Sequence, residues 1–83
     1  MKKVLIEVYL PAVGKTYQLW VPLQATVYQV TEQLIEVFQR MKVDAFLPNE
    51  DTMLCDRMGG EILNAEQMLV EAGVGNGSRL MLI

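Results

Sequence analysis

The chain is 83 residues long, 52% hydrophobic and 20% charged, with a formal charge of −3 and a pI near 4.7. That length suits a single domain over residues 1–83, burying ~60–65% of the surface its unfolded chain exposes, and the acidic balance excludes nucleic acid, which needs a basic patch. No apolar run reaches the ~18–20 residues of a membrane span, and no signal peptide precedes the first strand, so the expectation is a cytoplasmic protein without membrane insertion.

Residues Lys3 to Leu10 alternate, with Val4, Ile6, Val8 and Leu10 on one face and Lys3, Leu5, Glu7 and Tyr9 on the other, which predicts a strand. Pro11 to Lys15 forms the turn, with Gly14 placed for the left-handed conformation of a bulged hairpin. The return strand, Thr16 to Val21, directs Tyr17, Leu19 and Val21 one way and Thr16, Gln18 and Trp20 the other, and Pro22 ends it. Thr26-Val27-Tyr28-Gln29 is a capping box. After it, Val27, Val30, Leu34, Val37, Phe38 and Met41 recur at helical spacing, a stripe suited to packing on a sheet.

Lys42 to Asp51 is an irregular connection whose Val43, Phe46 and Leu47 are expected to fold back over the helix end. Its Glu50-Asp51 pair reads as a solvated turn, since two adjacent carboxylates do not make a calcium loop. Met53 to Asp56 predicts a short strand, with Cys55 a half-buried member. Arg57 to Gly60 turns the chain and Glu61-Ile62-Leu63 returns as a further strand. Asn64 is placed to cap a short helical segment leading to Leu69. Gly73, Gly75 and Gly77 mark a specially shaped turn before the alternating strand Ser78 to Ile83.

Chemistry finds little to work with. There is no histidine to act as general base or transition-metal ligand. Cys55 has no histidine to activate it, forms no internal disulfide, and cannot supply a three- or four-ligand metal site. Gly14-Lys15-Thr16 looks like the end of a phosphate-binding loop, but Tyr9 stands where that loop needs its first glycine. The Gly73, Gly75, Gly77 spacing is not the dinucleotide fingerprint, and a strand follows it rather than a helix. The expectation is no enzyme, no cofactor and no metal.

Specific residues carry a resemblance. The closing pattern Leu69-x-x-x-Gly73-Val74-x-x-Gly77-x-x-Leu80-x-Leu82 resembles the last loop and strand of ubiquitin-like β-grasp domains. Gly14 to Pro22 is similar to their second strand, and the capped helix from Thr26 follows at the usual distance. Within that superfamily the chain looks most like the YukD/EsaB family, accessory proteins of type VII (WXG100) secretion systems in Gram-positive bacteria. The features are its length, the start at the first strand, the Leu54-Cys55 strand and the end at Leu82-Ile83 without Gly-Gly.

The resemblance implies an α+β fold, a mixed five-stranded sheet in the order 2-1-5-3-4 packed on one main helix. The core would comprise Val4, Ile6, Val8, Tyr17, Leu19, Val21, Leu80 and Leu82 from the sheet. Val30, Leu34 and Phe38 would join from the helix, and Ile62, Leu69 and Val74 from the connections. On the open face, Leu5 would lie opposite Trp20, Glu7 opposite Gln18 and Tyr9 opposite Thr16, with Arg79 near Glu7 and Met81 near Tyr9.

Open faces of antiparallel strands usually read polar. Leu5, Tyr9, Trp20, Met81 and Ile83 on one such face therefore form a candidate protein-binding surface, anchored by Trp20. A cross-strand Trp20–Leu5 pair without a partner is the structural alternative. The implied function is a non-catalytic interaction module of a type VII secretion system, through homodimerisation or docking to a larger secretion component. Gly59-Gly60 is internal and cannot serve as a conjugation terminus. The competing reading is a ubiquitin-like modifier or sulfur carrier whose glycine tail is absent from this chain.

Overall fold

The N-terminal alternation folds as a hairpin. Strand β1 (Lys3–Leu10) pairs antiparallel with β2 (Lys15–Pro22), placing Leu5 opposite Trp20, Glu7 opposite Gln18 and Tyr9 opposite Thr16, the register expected above. At the turn Gly14 adopts φ +67°, and the N–H groups of Val13 and Gly14 both donate to the Leu10 carbonyl. A side chain at that φ would be strained, so glycine sets the turn. The computed structural model describes residues 2–43 and 46–83. Asp44 and Ala45, within the predicted irregular connection, lie outside them.

Helix α1 (Val27–Arg40) opens with the expected capping box: the Gln29 N–H donates to Thr26 Oγ1 at 3.1 Å and the Thr26 N–H donates to Gln29 Oε1 at 2.9 Å. Val27, Val30, Leu34 and Phe38 are buried. Two positions depart from the predicted stripe. Met41 sits at the C-cap and is exposed, because the helix has already ended at Arg40. Thr31 is buried instead, its hydroxyl donating to the Val27 carbonyl at 2.8 Å, which satisfies the polar group within the helix.

Strands β3 (Leu54–Asp56) and β4 (Arg79–Leu82) complete a mixed sheet of order β2-β1-β4-β3, with β4 parallel to β1 and the other pairs antiparallel. The described residues hold four strands, not the five expected. The segment predicted as the fifth, Glu61–Leu63, meets β3 only at an isolated bridge between Cys55 and Ile62, flanked by bonds from Asp56 N–H to the Glu61 carbonyl and from Leu63 N–H to the Leu54 carbonyl. Its partner β3 is three residues long, and the chain turns away at Asn64, so no longer ladder can form. The order 2-1-5-3-4 thus reduces to β2-β1-β4-β3.

The helical segment expected after Asn64 is likewise a series of turns. Asn64 Oδ1 accepts from the Glu66 N–H at 3.0 Å. The carbonyls that would propagate a helix are used elsewhere: Gln67 accepts from the Val27 N–H at 2.8 Å and Ala65 from the Tyr28 N–H at 3.0 Å. Those are two of the donors every helix N-terminus leaves unpaired. A tertiary cap on α1 has displaced a local helix.

The core lies between the inner face of the sheet and α1. Val4, Ile6, Val8, Leu10, Val21, Leu80 and Leu82 face Val27, Val30, Leu34 and Phe38, with Leu54, Leu69 and Val74 closing the sides. Tyr17 and Leu19 pack partly buried at the margin, and the Tyr17 ring lies 5.1 Å from that of Phe38. Val43 and Phe46 fold back as expected, Phe46 edge-on to Phe38 at 5.6 Å. Leu47 does not, being 86% exposed, and Ile62, assigned to the core from sequence, is 62% exposed on its bridging segment. Cys55 is fully buried rather than half-buried.

Candidate protein-interaction face

The period-two alternation that buries one side of the sheet presents the other. On β1 the outward residues are Leu5, Glu7 and Tyr9, all partly buried by their neighbours. Trp20 on β2 stands beside Leu5 and is 60% exposed, a large apolar ring. At mid-face Glu7 is flanked by Gln18 on one side and Arg79 on the other, with Arg79 Nε 3.3 Å from Glu7 Oε2. Farther along, Thr16, Tyr9, Met81 and Cys55 form one continuous row across all four strands.

Arg57 closes over that row. Its guanidinium carbon lies 4.2 Å from the centroid of the Tyr9 ring, and its Nη1 donates to Thr16 Oγ1 at 3.2 Å. A cation above the electron-rich face of an aromatic ring is attracted by its quadrupole. The sequence reading placed Arg57 only in a turn. A signal was present, since Arg57 is two residues beyond Cys55 and so falls on the same side of the extended β3 backbone, whose ladder continues through a bond from Arg57 N–H to the Arg79 carbonyl.

The five candidate residues therefore fall into separate groups. Leu5 and Trp20 make an apolar pair at one end. Tyr9 and Met81 lie together past the Glu7–Arg79 ion pair, with Tyr9 capped by Arg57. Ile83 is beyond them at the far end, exchanging backbone bonds with Met53 and lining a shallow groove with Pro11, Leu47 and Pro48. It is not contiguous with Trp20.

The closing loop ties down the Leu5 end through two hydrogen bonds. Asn76 Oδ1 accepts from the Leu5 N–H at 2.9 Å, and the Gly77 N–H donates to the Leu5 carbonyl at 2.8 Å. Gly77 does so at φ +80°, a conformation that glycine takes without strain. Asn76 thus supplies the acceptor that a longer parallel β4 would have provided, a role the sequence reading missed because nothing local to Asn76 marks it.

Burial pushes the Cys55 thiol above its ordinary pKa, which disfavours the nucleophilic thiolate. No group of three or more metal-ligating side chains occurs among the described residues, and no described helix is long and apolar enough to cross a membrane.

One long helix laid across a mixed sheet, with the last strand parallel to the first at its centre, is the ubiquitin-like β-grasp architecture, and solved structures of that class superpose closely. The ubiquitin-like domain of EccD5 from Mycobacterium xenopi matches with a TM-score of 0.80 and 18% identity, covering 100% of this chain and 94% of that one. The ubiquitin-like domain of the Mycobacterium tuberculosis type VII secretion protein ECCD1 matches at 0.79 and 17% identity, over 100% of this chain and 99% of that one. A chain of the MycP5-free ESX-5 inner membrane complex matches at 0.79 and 22% identity, covering 100% of this chain but 21% of that one. No curated protein matches the chain in sequence. The family model for YukD, described as a protein of the WXG100 protein secretion system (Wss), matches residues 4–82, and the chain belongs to that family.

Proposed function

We propose that this chain is a non-catalytic protein-interaction module, an accessory or regulatory component of a type VII (WXG100) secretion system that works in the cytoplasm as a single ubiquitin-like domain. The observation that carries the reading is the exposed Trp20 beside Leu5 on a sheet face backed by a complete core. Leu5 and Trp20 are the docking pair, while Tyr9 and Met81, with Arg57 above Tyr9, extend the contact, and Ile83 marks its outer limit. Trp is among the residue types that dominate interface energetics, and a single such anchor is worth ~2 kcal/mol or more when a partner desolvates it.

Family membership and the likeness to ubiquitin-like domains of EccD proteins support a secretion-machine component as the partner. Co-purification of the Trp20→Ala variant with the membrane components encoded at its secretion locus tests this. Association is expected to fall sharply while far-ultraviolet circular dichroism and Tm stay close to wild type. Undiminished association would sink the docking role. The intact mass of the protein recovered from cells is expected to be that of the unconjugated chain, and an isopeptide-linked adduct would transfer the reading to a ubiquitin-like modifier.

A further inference from the structure

The two edges of the sheet are treated differently. The β3 edge is short and covered by the 61–63 segment, through the Cys55–Ile62 bridge and its flanking bonds. The β2 edge is eight residues long, spanning ~27 Å at ~3.4 Å per residue, nearly the full 31 Å length of the molecule. Its phase follows from one bond, Leu23 N–H to the Lys2 carbonyl at 2.9 Å. Antiparallel pairs alternate between those that exchange backbone bonds and those that do not. With that bond and the register of the hairpin, Lys15, Tyr17, Leu19 and Val21 turn their backbone groups to β1, and Thr16, Gln18 and Trp20 turn theirs outward.

Among the described residues, no backbone or side-chain hydrogen bond reaches the N–H or C=O groups of those three. The usual safeguards, a lysine and a proline, stand only at its two ends, Lys15 and Pro22. Thr16 to Val21 contains no charge and no proline, and β-branched and aromatic types make up most of it.

We propose that the β2 edge pairs with the β2 edge of a second copy of this chain, antiparallel about a two-fold axis through Gln18. Side chains directly opposite must share a face, which restricts the choice of register. With Gln18 opposite Gln18, Thr16 of each copy lies opposite Trp20 of the other. Every outward N–H and C=O of Thr16, Gln18 and Trp20 then finds a partner on both copies. Shifting the axis to Leu19 sets Thr16 opposite Pro22, which has no N–H and whose carbonyl already accepts from Ala25. Shifting it to Tyr17 sets Trp20 opposite Gly14, whose N–H is committed to Leu10.

The Gln18 register also suits the charges. Lys15 is the sole charged residue of β2 and lies opposite Val21 of the other copy. The two lysines are then ~20 Å apart along the strands, beyond the Debye length of ~8 Å. Each edge is thus its own complement, and a second copy is the occupant it fits. The pairing joins the two sheets into one, and it stands independently of the docking role of Leu5 and Trp20.

Sedimentation velocity of the full chain over micromolar to millimolar concentrations tests the pairing. The wild type is expected to form a dimer. Gln18→Pro deletes the central donor and sets a proline ring on the open edge without removing any β1–β2 bond, and it is expected to be monomeric with an unchanged circular dichroism spectrum. A second variant reads the register. Gln18→Cys is expected to crosslink into a disulfide dimer on mild oxidation, since paired residues there have Cα atoms ~5.5 Å apart. Thr16→Cys is expected not to crosslink, and buried Cys55 leaves the wild type uncrosslinked. A wild type that stays monomeric throughout, a folded Gln18→Pro that still dimerises, or equal crosslinking at Thr16 and Gln18 would each overturn the proposal. A monomeric Gln18→Pro that still co-purifies with the secretion components separates this pairing from the docking face.

Discussion

The two faces of the sheet come from the same strands and the same alternation, yet they differ in what decides them. On the inner face Val4, Ile6, Val8 and Leu10 of β1 are all essentially inaccessible, because α1 lies over them. On the outer face the interleaved Leu5, Glu7 and Tyr9 are partly buried, with Arg57 lying over Tyr9. The inner face is specified by shape and hydrophobicity acting together, so its residues are constrained by stability. The outer face holds a cation–π contact, an ion pair and an uncovered tryptophan, each of small energetic weight. Its residues are free to be chosen for recognition.

If that contrast is right, substitutions on the two faces separate stability from association. Leu34→Ala, at the centre of the helix face against the sheet, is expected to cost ~2–5 kcal/mol in urea unfolding, and Leu80→Ala a similar amount, both lowering the midpoint with little change in slope. A loss below ~1 kcal/mol at both sites would mean that α1 is not the main cover of the inner face. Gly77→Ala, forced into a φ of +80°, is expected to cost more than ~1 kcal/mol and to speed hydrogen exchange at the Leu5 N–H held by Asn76.

Outer-face changes should read differently. Trp20→Ala is expected to alter stability by no more than ~1 kcal/mol while removing most of the association. Arg57→Gln is expected to cost ~0.5–1 kcal/mol and to shift the Tyr9 ring resonances in NMR spectra.

The smallest effect concerns pH. The folded-state pKa of Cys55 is raised by burial, so above the unfolded thiol's pKa the unfolded chain releases a proton that the native state retains. Stability is therefore unaffected at neutral pH and falls as pH rises through and beyond the unfolded pKa. Cys55→Ala is expected to flatten that alkaline slope, measured as Tm against pH.

Much of this molecule was legible because period-two and period-3.6 patterns are local signals. The hairpin register, the Thr26–Gln29 box and the Glu7–Arg79 neighbourhood follow from alternation plus one expected topology. The misses share a cause. Glu61–Leu63 has the composition of a strand but too short a partner, and Asn64 begins a capped turn whose following carbonyls serve α1 instead. Ile62 and Leu47 are apolar, yet both stay exposed among the described residues. Hydrophobicity states what a residue would gain by burial, not whether anything is there to bury it.

For the candidate face, sequence placed Leu5 with Trp20 and Tyr9 with Met81, since cross-strand neighbours follow from register. It did not place Arg57 above Tyr9, nor separate Ile83 from the rest, because both depend on how the chain travels between strands. The residues alone decided which side chains share a face, through the geometry of an extended backbone. Only the tertiary structure decided which of them are covered and which edge is left open, because burial and unpaired backbone groups belong to the arrangement of elements and not to any one of them.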